Sequence, residues 1–217
     1  MPRVLVTGAG RGLGLEFARQ YAAGGWDVIA TARRESPGLA SLGVRVERLD
    51  MRDFGALEAF PERLGGAPLD LFIANAGVSA AKHIDTADEA EAALEVLAVN
   101  AVAPTLLARR LAPLVDAAGG KMAAVTSRMG SIADTSGGWL GYRASKAALN
   151  AFWASLAKEL PFPVVLLHPG WVQTDMGGPS APLSPEESIA GMRRVIEALT
   201  KRQSGAFLDH EGKTVPW

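Results

Sequence analysis

The fold is decided by the stretch Val4-Leu5-Val6-Thr7-Gly8-Ala9-Gly10-Arg11-Gly12-Leu13-Gly14. Its first three residues form a wholly apolar run, which is typical of a strand covered on both faces. Beyond the glycines, the spacing of Leu13, Phe17 and Tyr21 predicts a helix. A strand, a glycine-rich turn and a helix in this order form a site where backbone N–H groups bind a pyrophosphate. We therefore predict a dinucleotide-binding turn, the alternative being a plain glycine-rich connection.

Further apolar runs and helical patterns alternate along the rest of the chain. Strands are predicted at 27–32, 44–49, 69–74, 121–126, 163–167 and 205–208. Helices are predicted at 53–64, from Thr86 to about Leu111, around Tyr142 and from Ser184. Thr86 with Glu89, and Ser184 with Glu187, have the spacing of capping boxes, in which two side chains satisfy the first backbone groups of a helix.

Composition narrows the class of protein. The chain has 217 residues, a net charge of −1 and no cysteine. A chain without a basic excess has no global field that attracts nucleic acid or an anionic membrane. The absence of cysteine excludes disulfides and thiolate chemistry and fits a reducing compartment. No apolar run approaches the ~20 residues of a membrane helix, and the N-terminus leads straight into a strand. We expect a cytoplasmic protein with no metal site.

The end of the second strand favours one cofactor over another. An acidic residue there would bind a ribose 2′-hydroxyl and select NAD. Here the strand ends in Ala32 and is followed by Arg33 and Arg34. A basic group at this point, together with Arg11 of the glycine-rich turn, would bind a 2′-phosphate. The sequence therefore favours NADP(H), with NAD(H) possible and with solvent-facing arginines as the alternative.

A candidate general acid lies in the stretch Gly141-Tyr142-Arg143-Ala144-Ser145-Lys146. A tyrosine and a lysine four positions apart share one face of a helix. An ammonium beside a phenol stabilises the phenolate, which is expected to lower the phenol pKa from about 10 towards neutrality. That change would make Tyr142 a general acid near neutral pH. Two exposed side chains are the alternative, because many helices carry this spacing by chance.

Two further positions are candidates for supporting roles. Pro104 has no N–H for the carbonyl group of Asn100, so we expect a bent helix with a free carbonyl that holds a water molecule. An ordinary kinked helix is the alternative. A serine at the end of strand five would donate a hydrogen bond to a substrate carbonyl. Ser127 and Ser131 are the candidates for this role.

Together these motifs resemble the short-chain dehydrogenase/reductase family. The resemblance rests on Thr7 to Gly14, on Asn75-Ala76-Gly77, on Tyr142 with Lys146, and on Pro169-Gly170. Within the family, the chain is similar to the subgroup around C-factor and the Sniffer carbonyl reductases. The resemblance implies one domain, 1–217, with a doubly wound parallel sheet of Rossmann type, helices on both faces, and a small substrate lid at about 175–190.

The resemblance also implies roles for single residues. Asn100, Ser127, Tyr142 and Lys146 would be catalytic, with Asn100 holding a water of the proton relay. Asp50 would accept a bond from the adenine amino group, and Asn75 would tie neighbouring strands together. The complete cofactor-binding set implied is Gly8, Arg11, Gly12, Leu13, Gly14, Arg33, Asp50, Met51, Asn75, Ala76, Gly77, Tyr142, Lys146, Pro169, Gly170, Val172 and Thr174. The chain departs from the family pattern at Ala74, where an asparagine is usual, and in a long interval between Ser127 and Tyr142.

The implied activity is reversible hydride transfer between NADP(H) and a carbonyl/alcohol pair. Met129, Trp139 and Trp171 fall near the expected mouth and suggest an apolar or aromatic substrate, unless they serve packing alone. His168 is interpreted as structural. The wide apolar face of the Tyr142 helix suggests a homodimer or homotetramer, unless it serves the core only. A nucleotide-binding regulatory protein of C-factor type is the second hypothesis.

Overall fold

The computed structural model describes residues 1–217 and contains one sheet of seven parallel strands. The spatial order of the strands is β3-β2-β1-β4-β5-β6-β7, so the direction of winding reverses next to β1. The strands are β1 (Arg3–Val6), β2 (Asp27–Ala32), β3 (Arg45–Arg48), β4 (Leu71–Ala74), β5 (Lys121–Val125), β6 (Val164–His168) and β7 (Ala206–Asp209). The predicted doubly wound parallel sheet is confirmed.

Helices cover both faces of this sheet. They are α1 (Gly12–Ala23), α2 (Pro37–Leu42), α3 (Phe54–Arg63), α4 (Ala87–Leu97), α5 (Ala103–Ala117), α6 (Leu140–Glu159) and α7 (Pro185–Ala198). Leu5 packs with buried residues of α3, α5 and α6, whereas its neighbours Val4 and Val6 pack with those of α1 and α7. Successive residues of a strand point to opposite faces, so an entirely apolar run is what a sheet covered on both sides requires.

The sequence patterns missed one helix. α2 has six residues, which is too short to show a helical period. Its start is nevertheless well defined, because the Ser36 side chain accepts a hydrogen bond from the N–H of Leu39 at 3.3 Å and Pro37 occupies the first position. Gly43, at φ 64°, ends it in the left-handed conformation.

The long helix predicted from Thr86 is divided in two. Its capping box is confirmed, since the N–H of Glu89 donates to Thr86 Oγ1 at 3.2 Å and the Glu89 carboxylate accepts from the N–H of Thr86 at 3.1 Å. Instead of a simple bend, a π-helical turn at Ala98–Val102 separates α4 from α5. Such a turn takes one more residue than an α-helical turn, and here it ends two positions before Pro104, which has no N–H to donate. Asn100 lies in the middle of this turn and is buried.

The helical stretch Ala87–Ala117 is long and apolar enough to cross a membrane, judged by length and composition alone. In the fold, its apolar residues serve the core. Leu107, Leu111 and Val115 are fully buried against the sheet, together with α3 and α6. Leu94 and Val102, by contrast, are exposed on its outer side.

Candidate active site

A cleft of about 540 Å³ opens at the carboxyl ends of the central strands. It lies where the winding reverses between β1 and β4, the usual position of a ligand in a doubly wound sheet. The predicted cofactor residues that line it are Gly8, Arg11, Gly12, Leu13, Gly14, Arg33, Asp50, Met51, Asn75, Ala76, Gly77, Tyr142, Lys146, Pro169 and Thr174. The structure thus brings together fifteen of the seventeen residues named for this role, and Gly170 and Val172 lie outside the lining.

The glycine-rich turn places the start of α1 at this cleft. A Cβ atom on Gly14 would lie 2.4 Å from the carbonyl oxygen of Gly8 and 2.5 Å from Asn75 Nδ2, so only glycine permits this approach of α1 to the sheet. Gly12 is needed for a different reason, because its φ is +56° and a Cβ there would meet only Thr174. Arg11, the residue before α1, makes no side-chain cap, which leaves the first N–H groups of the helix available to an anion.

Asn75 joins β1 to β4, as the resemblance implies. Its Nδ2 donates to the carbonyl oxygens of Thr7 at 2.9 Å and Gly8 at 3.3 Å. Sequence reasoning gave no role to Thr7, whose buried hydroxyl accepts hydrogen bonds from the N–H groups of Asn75 at 3.0 Å and Ala76 at 3.2 Å. A threonine directly before the first glycine was the available sequence signal for this contact.

The end of the cleft at β2 is rich in arginine. Arg33 and Arg34 are exposed and line the cleft. Arg11 forms an ion pair with Asp175, so the glycine-rich turn contacts the segment predicted to be a lid. Asp50 accepts hydrogen bonds from the N–H and the guanidinium of Arg52, at 3.0 and 2.9 Å respectively. The Arg52 hydrogen bond lowers the pKa of Asp50 and keeps it a carboxylate acceptor.

At the opposite end of the cleft, three of the predicted catalytic side chains converge. Tyr142 and Lys146 are 8% and 4% exposed, and both line the cleft. Lys146 Nζ lies 5.9 Å from the centre of the Tyr142 ring and donates to the carbonyl oxygen of Val125 at 2.9 Å. The Ser127 hydroxyl is close enough to Tyr142 to favour its ionised form, and it accepts a hydrogen bond from the N–H of Met129 at 3.1 Å, although Ser127 does not itself line the cleft. A hydroxyl, a phenol and an ammonium therefore lie near one another.

The electrostatics of this cluster differ from the sequence expectation. Burial raises the pKa of Tyr142, and the neighbouring Ser127 hydroxyl opposes that rise without cancelling it. Burial also lowers the pKa of Lys146 to about 8. Removing either group from water penalises its charged form, so desolvation outweighs the attraction between phenolate and ammonium that the i, i+4 spacing suggested.

Asn100 stands behind the cluster instead of lining the cleft. Its side chain accepts from the N–H of Val78 at 2.8 Å and donates to the Val78 carbonyl at 2.9 Å. It also donates to Ser145 Oγ at 2.9 Å, and Ser145 Oγ donates to the Tyr142 carbonyl at 2.7 Å. Sequence reasoning assigned nothing to Ser145, although it lies one position before Lys146. The network fixes α6 relative to the chain that follows β4.

The second serine candidate occupies a different place. Ser131 is buried, accepts from the N–H of Asp134 at 3.0 Å and donates to the Trp217 carbonyl at 3.3 Å. Its hydroxyl therefore holds the exposed loop 132–138 against the C-terminal residues, whereas the hydroxyl of Ser127 is the one that influences the pKa of Tyr142. Ser127 stays the first candidate for the predicted role.

The segment after β6 supports the cleft from outside. A Cβ on Gly170 would lie 2.4 Å from Leu183 Cδ1, and Val172 is buried and pairs with Leu183. Burial lowers the pKa of His168 to about 4, so its imidazole is neutral near neutral pH. Thr174, Asp175 and Met176 return to the cleft lining.

Comparison with known proteins agrees with this geometry. The sequence model of the family described as short chain dehydrogenase matches residues 2–182. The C-signal protein of Myxococcus xanthus is 45% identical over 170 residues, which cover 74% of this chain and 100% of that protein.

Solved structures extend the similarity over the whole chain. The carbonyl reductase Sniffer of D. melanogaster has a TM-score of 0.90 at 30% identity, with both chains covered completely. A carbonyl reductase from Pseudomonas aeruginosa PAO1 in complex with NADP has a TM-score of 0.88 at 38% identity, again with complete coverage of both chains.

Proposed function

The chain belongs to the short-chain dehydrogenase/reductase family and is an oxidoreductase, and from this premise we propose that it reduces a ketone or aldehyde to an alcohol with NADPH, or catalyses the reverse reaction. The observation that carries the proposal is that Tyr142 and Lys146 line the same cleft as the glycine-rich turn, with the Ser127 hydroxyl near Tyr142. The proposed general acid and its neighbours would thus lie beside a space large enough for a dinucleotide.

The residues present fit NADP(H). The uncapped N-terminus of α1 would hold the pyrophosphate, and Arg11 and Arg33 would bind the 2′-phosphate. Asp50 offers a carboxylate acceptor to the adenine amino group. When bound, the nicotinamide supplies or accepts the hydride. The carbonyl reductase from P. aeruginosa crystallised with NADP supports the same cofactor for this chain.

We assign the proton to Tyr142. Its hydroxyl donates to the carbonyl oxygen as that oxygen gains negative charge, and Ser127 donates a second hydrogen bond to the same oxygen. The raised pKa of Tyr142 keeps the phenol protonated at neutral pH, which is the form needed to donate in the reductive direction. Lys146, with a pKa of about 8, is mostly protonated near neutral pH and can return a proton to Tyr142. In this proposal the main-chain carbonyl of Asn100 holds a water molecule that continues the relay.

The surroundings of the site suggest its other properties. Met176 is exposed and lines the cleft. Trp139 and Trp171 are also exposed, and each is close in sequence to a residue of the site. These apolar side chains favour an apolar or aromatic carbonyl compound as the substrate. Asp175 and Met176 would belong to the small lid at about 175–190. Val102, in the π-helical turn, and Phe152, on α6, are exposed apolar residues. They mark a candidate surface for a homodimer or homotetramer.

The second candidate function is a nucleotide-binding regulatory protein with little turnover. The observation in its favour is the 45% identity to C-signal. A panel of aldehydes, ketones and quinones with NADPH and with NADH separates the two candidates. Oxidation of NADPH by at least one carbonyl compound, faster than with NADH, supports the reductase. Tight NADPH binding without oxidation by any of them supports the regulator.

A further inference from the structure

The loop that follows β4 is fastened to the first turn of α6. The N–H of Leu140 donates to the Lys82 carbonyl at 3.2 Å, and the N–H of Gly141 donates to the Ala81 carbonyl at 2.9 Å. A Cβ on Gly141 would lie 2.5 Å from Ala81 Cβ, so the two segments touch without a side chain between them. The loop therefore lies directly against the end of the helix that carries Tyr142.

This contact holds two strained residues. Ala81 and Trp139 have φ angles of +57° and +54°, and no other non-glycine residue of the chain has a positive φ. Such a conformation is unfavourable for a residue other than glycine and persists only where the surrounding structure enforces it. Strain of this kind concentrates at binding sites, and here it lies on both sides of one contact.

On its solvent-facing side, this contact places the ammonium of Lys82 over the ring of Trp139. Lys82 Nζ lies 4.4 Å from the centre of the Trp139 ring. Trp139 is 37% exposed, Lys82 is exposed, and Lys82 forms no ion pair with a carboxylate. A cation–π contact orients an ammonium but, unlike a carboxylate, does not neutralise its charge. Lys82 is thus held in place with its charge available to an incoming anion.

The position of this pair relative to the reacting groups follows from the chain. The loop begins at Gly77, where an added Cβ would lie 3.6 Å from Lys146 Nζ, and it reaches Trp139 at Lys82. Trp139 is the residue before α6, and Tyr142 is the third residue of that helix. The loop therefore leads from Gly77, which lines the cleft, to Lys82 at the start of α6, so the Lys82–Trp139 pair lies just outside the cleft lining, beside the helix turn that carries Tyr142.

We propose that Lys82, oriented by Trp139, is a specificity-determining residue that favours aromatic or apolar carbonyl substrates carrying a carboxylate. The proposal rests on the carbonyl reduction proposed above and concerns the choice of substrate only. The carboxylate would pair with the Lys82 ammonium just outside the cleft lining, while the carbonyl group at the other end of the substrate reaches Tyr142. Hydride and proton transfer are the same for charged and uncharged substrates.

The test compares 4-carboxybenzaldehyde with its uncharged methyl ester, using NADPH and measuring kcat/KM for each. We expect Lys82→Gln to lower the ratio of the two kcat/KM values about two- to fivefold, the range of an exposed ion pair. Lys82→Arg keeps the charge and should keep most of the ratio. Lys158→Gln is the matched control, because Lys158 is exposed near the other end of α6. In the unmodified protein, high salt should lower the ratio by screening the pair.

Several outcomes would overturn the proposal. Equal losses on both substrates in Lys82→Gln would give Lys82 a packing role only. An equal fall of the ratio in Lys158→Gln would assign the preference to overall charge. If the unmodified protein reduces neither aldehyde nor any other carbonyl compound, the proposed function itself fails, whereas reduction of the ester with an unaltered ratio in Lys82→Gln removes only the role of Lys82.

Discussion

Lys146 donates a hydrogen bond from Nζ to the carbonyl oxygen of Val125, at 2.9 Å, and so anchors α6 to the last residue of β5. Ser127 follows Val125 by two positions, and Tyr142 precedes Lys146 by one helical turn. One contact between a side chain and the backbone therefore sets the spacing of the three groups that we assign to proton transfer. The same burial that positions the ammonium also lowers its pKa to about 8.

The first prediction concerns this buried charge. Between about pH 8 and 10.5 the unfolded chain binds a proton at Lys146 that the folded protein does not, so stability rises with pH across this window. Lys146→Met removes the cost of burying the charge, about 3 kcal/mol for a shift of this size. We expect its advantage in free energy of unfolding to be largest below pH 8 and to vanish above pH 10.5.

Urea denaturation of both proteins at several pH values measures this difference, because other titrating groups cancel between them. A constant difference from pH 7 to 10.5 would contradict a lowered pKa at Lys146. The Met variant should also lose most of its reductase activity, since it has no proton to return to Tyr142.

Tyr142→Phe removes the proposed general acid while keeping the ring. We expect kcat to fall by on the order of 10²–10⁴-fold, the usual contribution of a positioned acid. NADPH affinity, measured by fluorescence titration, should change little, because the pyrophosphate and adenine contacts lie at the other end of the cleft. Turnover near that of the unmodified protein would reject the role of Tyr142.

Alanine variants of the two candidate serines should differ in whether they lose activity or stability. Ser127→Ala removes a donor to the reacting oxygen and should lower kcat by on the order of 10²-fold or more, with a loss of at most about 1 kcal/mol in stability from the hydrogen bond that its Oγ accepts from Met129. Ser131→Ala breaks contacts to Asp134 and Trp217, and we expect a loss of about 1 kcal/mol in stability with a smaller effect on kcat. The reverse pattern in paired kinetic and denaturation measurements would assign the catalytic role to Ser131.

The ion pair between Arg11 and Asp175 bears on cofactor choice. If Arg11 binds the 2′-phosphate, it must leave Asp175, so Asp175→Asn should tighten NADPH binding about two- to fivefold and leave NADH unchanged. Arg11→Ala should weaken NADPH binding about ten- to a hundredfold, the value of a charge-assisted hydrogen bond. Arg109→Ala is the control, because Arg109 is also exposed and ion-paired but does not line the cleft. Equal changes for NADPH and NADH would place the 2′-phosphate elsewhere.

Gly14→Ala tests the close approach of α1 to the sheet. The added Cβ would lie 2.4 Å from the Gly8 carbonyl oxygen, and we expect a loss of about 1–3 kcal/mol in stability together with weaker NADPH binding. Gly55→Ala, within α3, is the matched control, since its Cβ meets only Asp53 Oδ1 at 3.6 Å and alanine is the better helix former. Thermal unfolding of the two variants should move the midpoint in opposite directions.

Local patterns were sufficient to predict the order and type of most elements. Each useful pattern spans only a few residues: the apolar run Val4–Val6, the glycine-rich turn and the two capping boxes. The structure that each pattern forms can therefore be predicted without knowledge of the fold. The same holds for the end of the cleft assigned to the pyrophosphate, because most of its residues are consecutive in one glycine-rich turn. α2 was not predicted because a helix of six residues is too short to show a helical period. The π-helical turn before Pro104 was predicted only as a bend in the helix.

The sequence alone determined the parallel sheet and the glycine-rich turn of the cleft, because these depend on backbone periodicity and on glycines at fixed spacing, whereas most other cleft residues were implied by the family resemblance. Only the tertiary structure decided how the charges behave. The pKa values of Tyr142 and Lys146 depend on burial, and burial is set by strands and loops that are distant in sequence. The contacts of Arg11 with Asp175 and of Lys82 with Trp139, and the proximity of Ser127 to Tyr142, likewise join separate segments, and no local pattern encodes them.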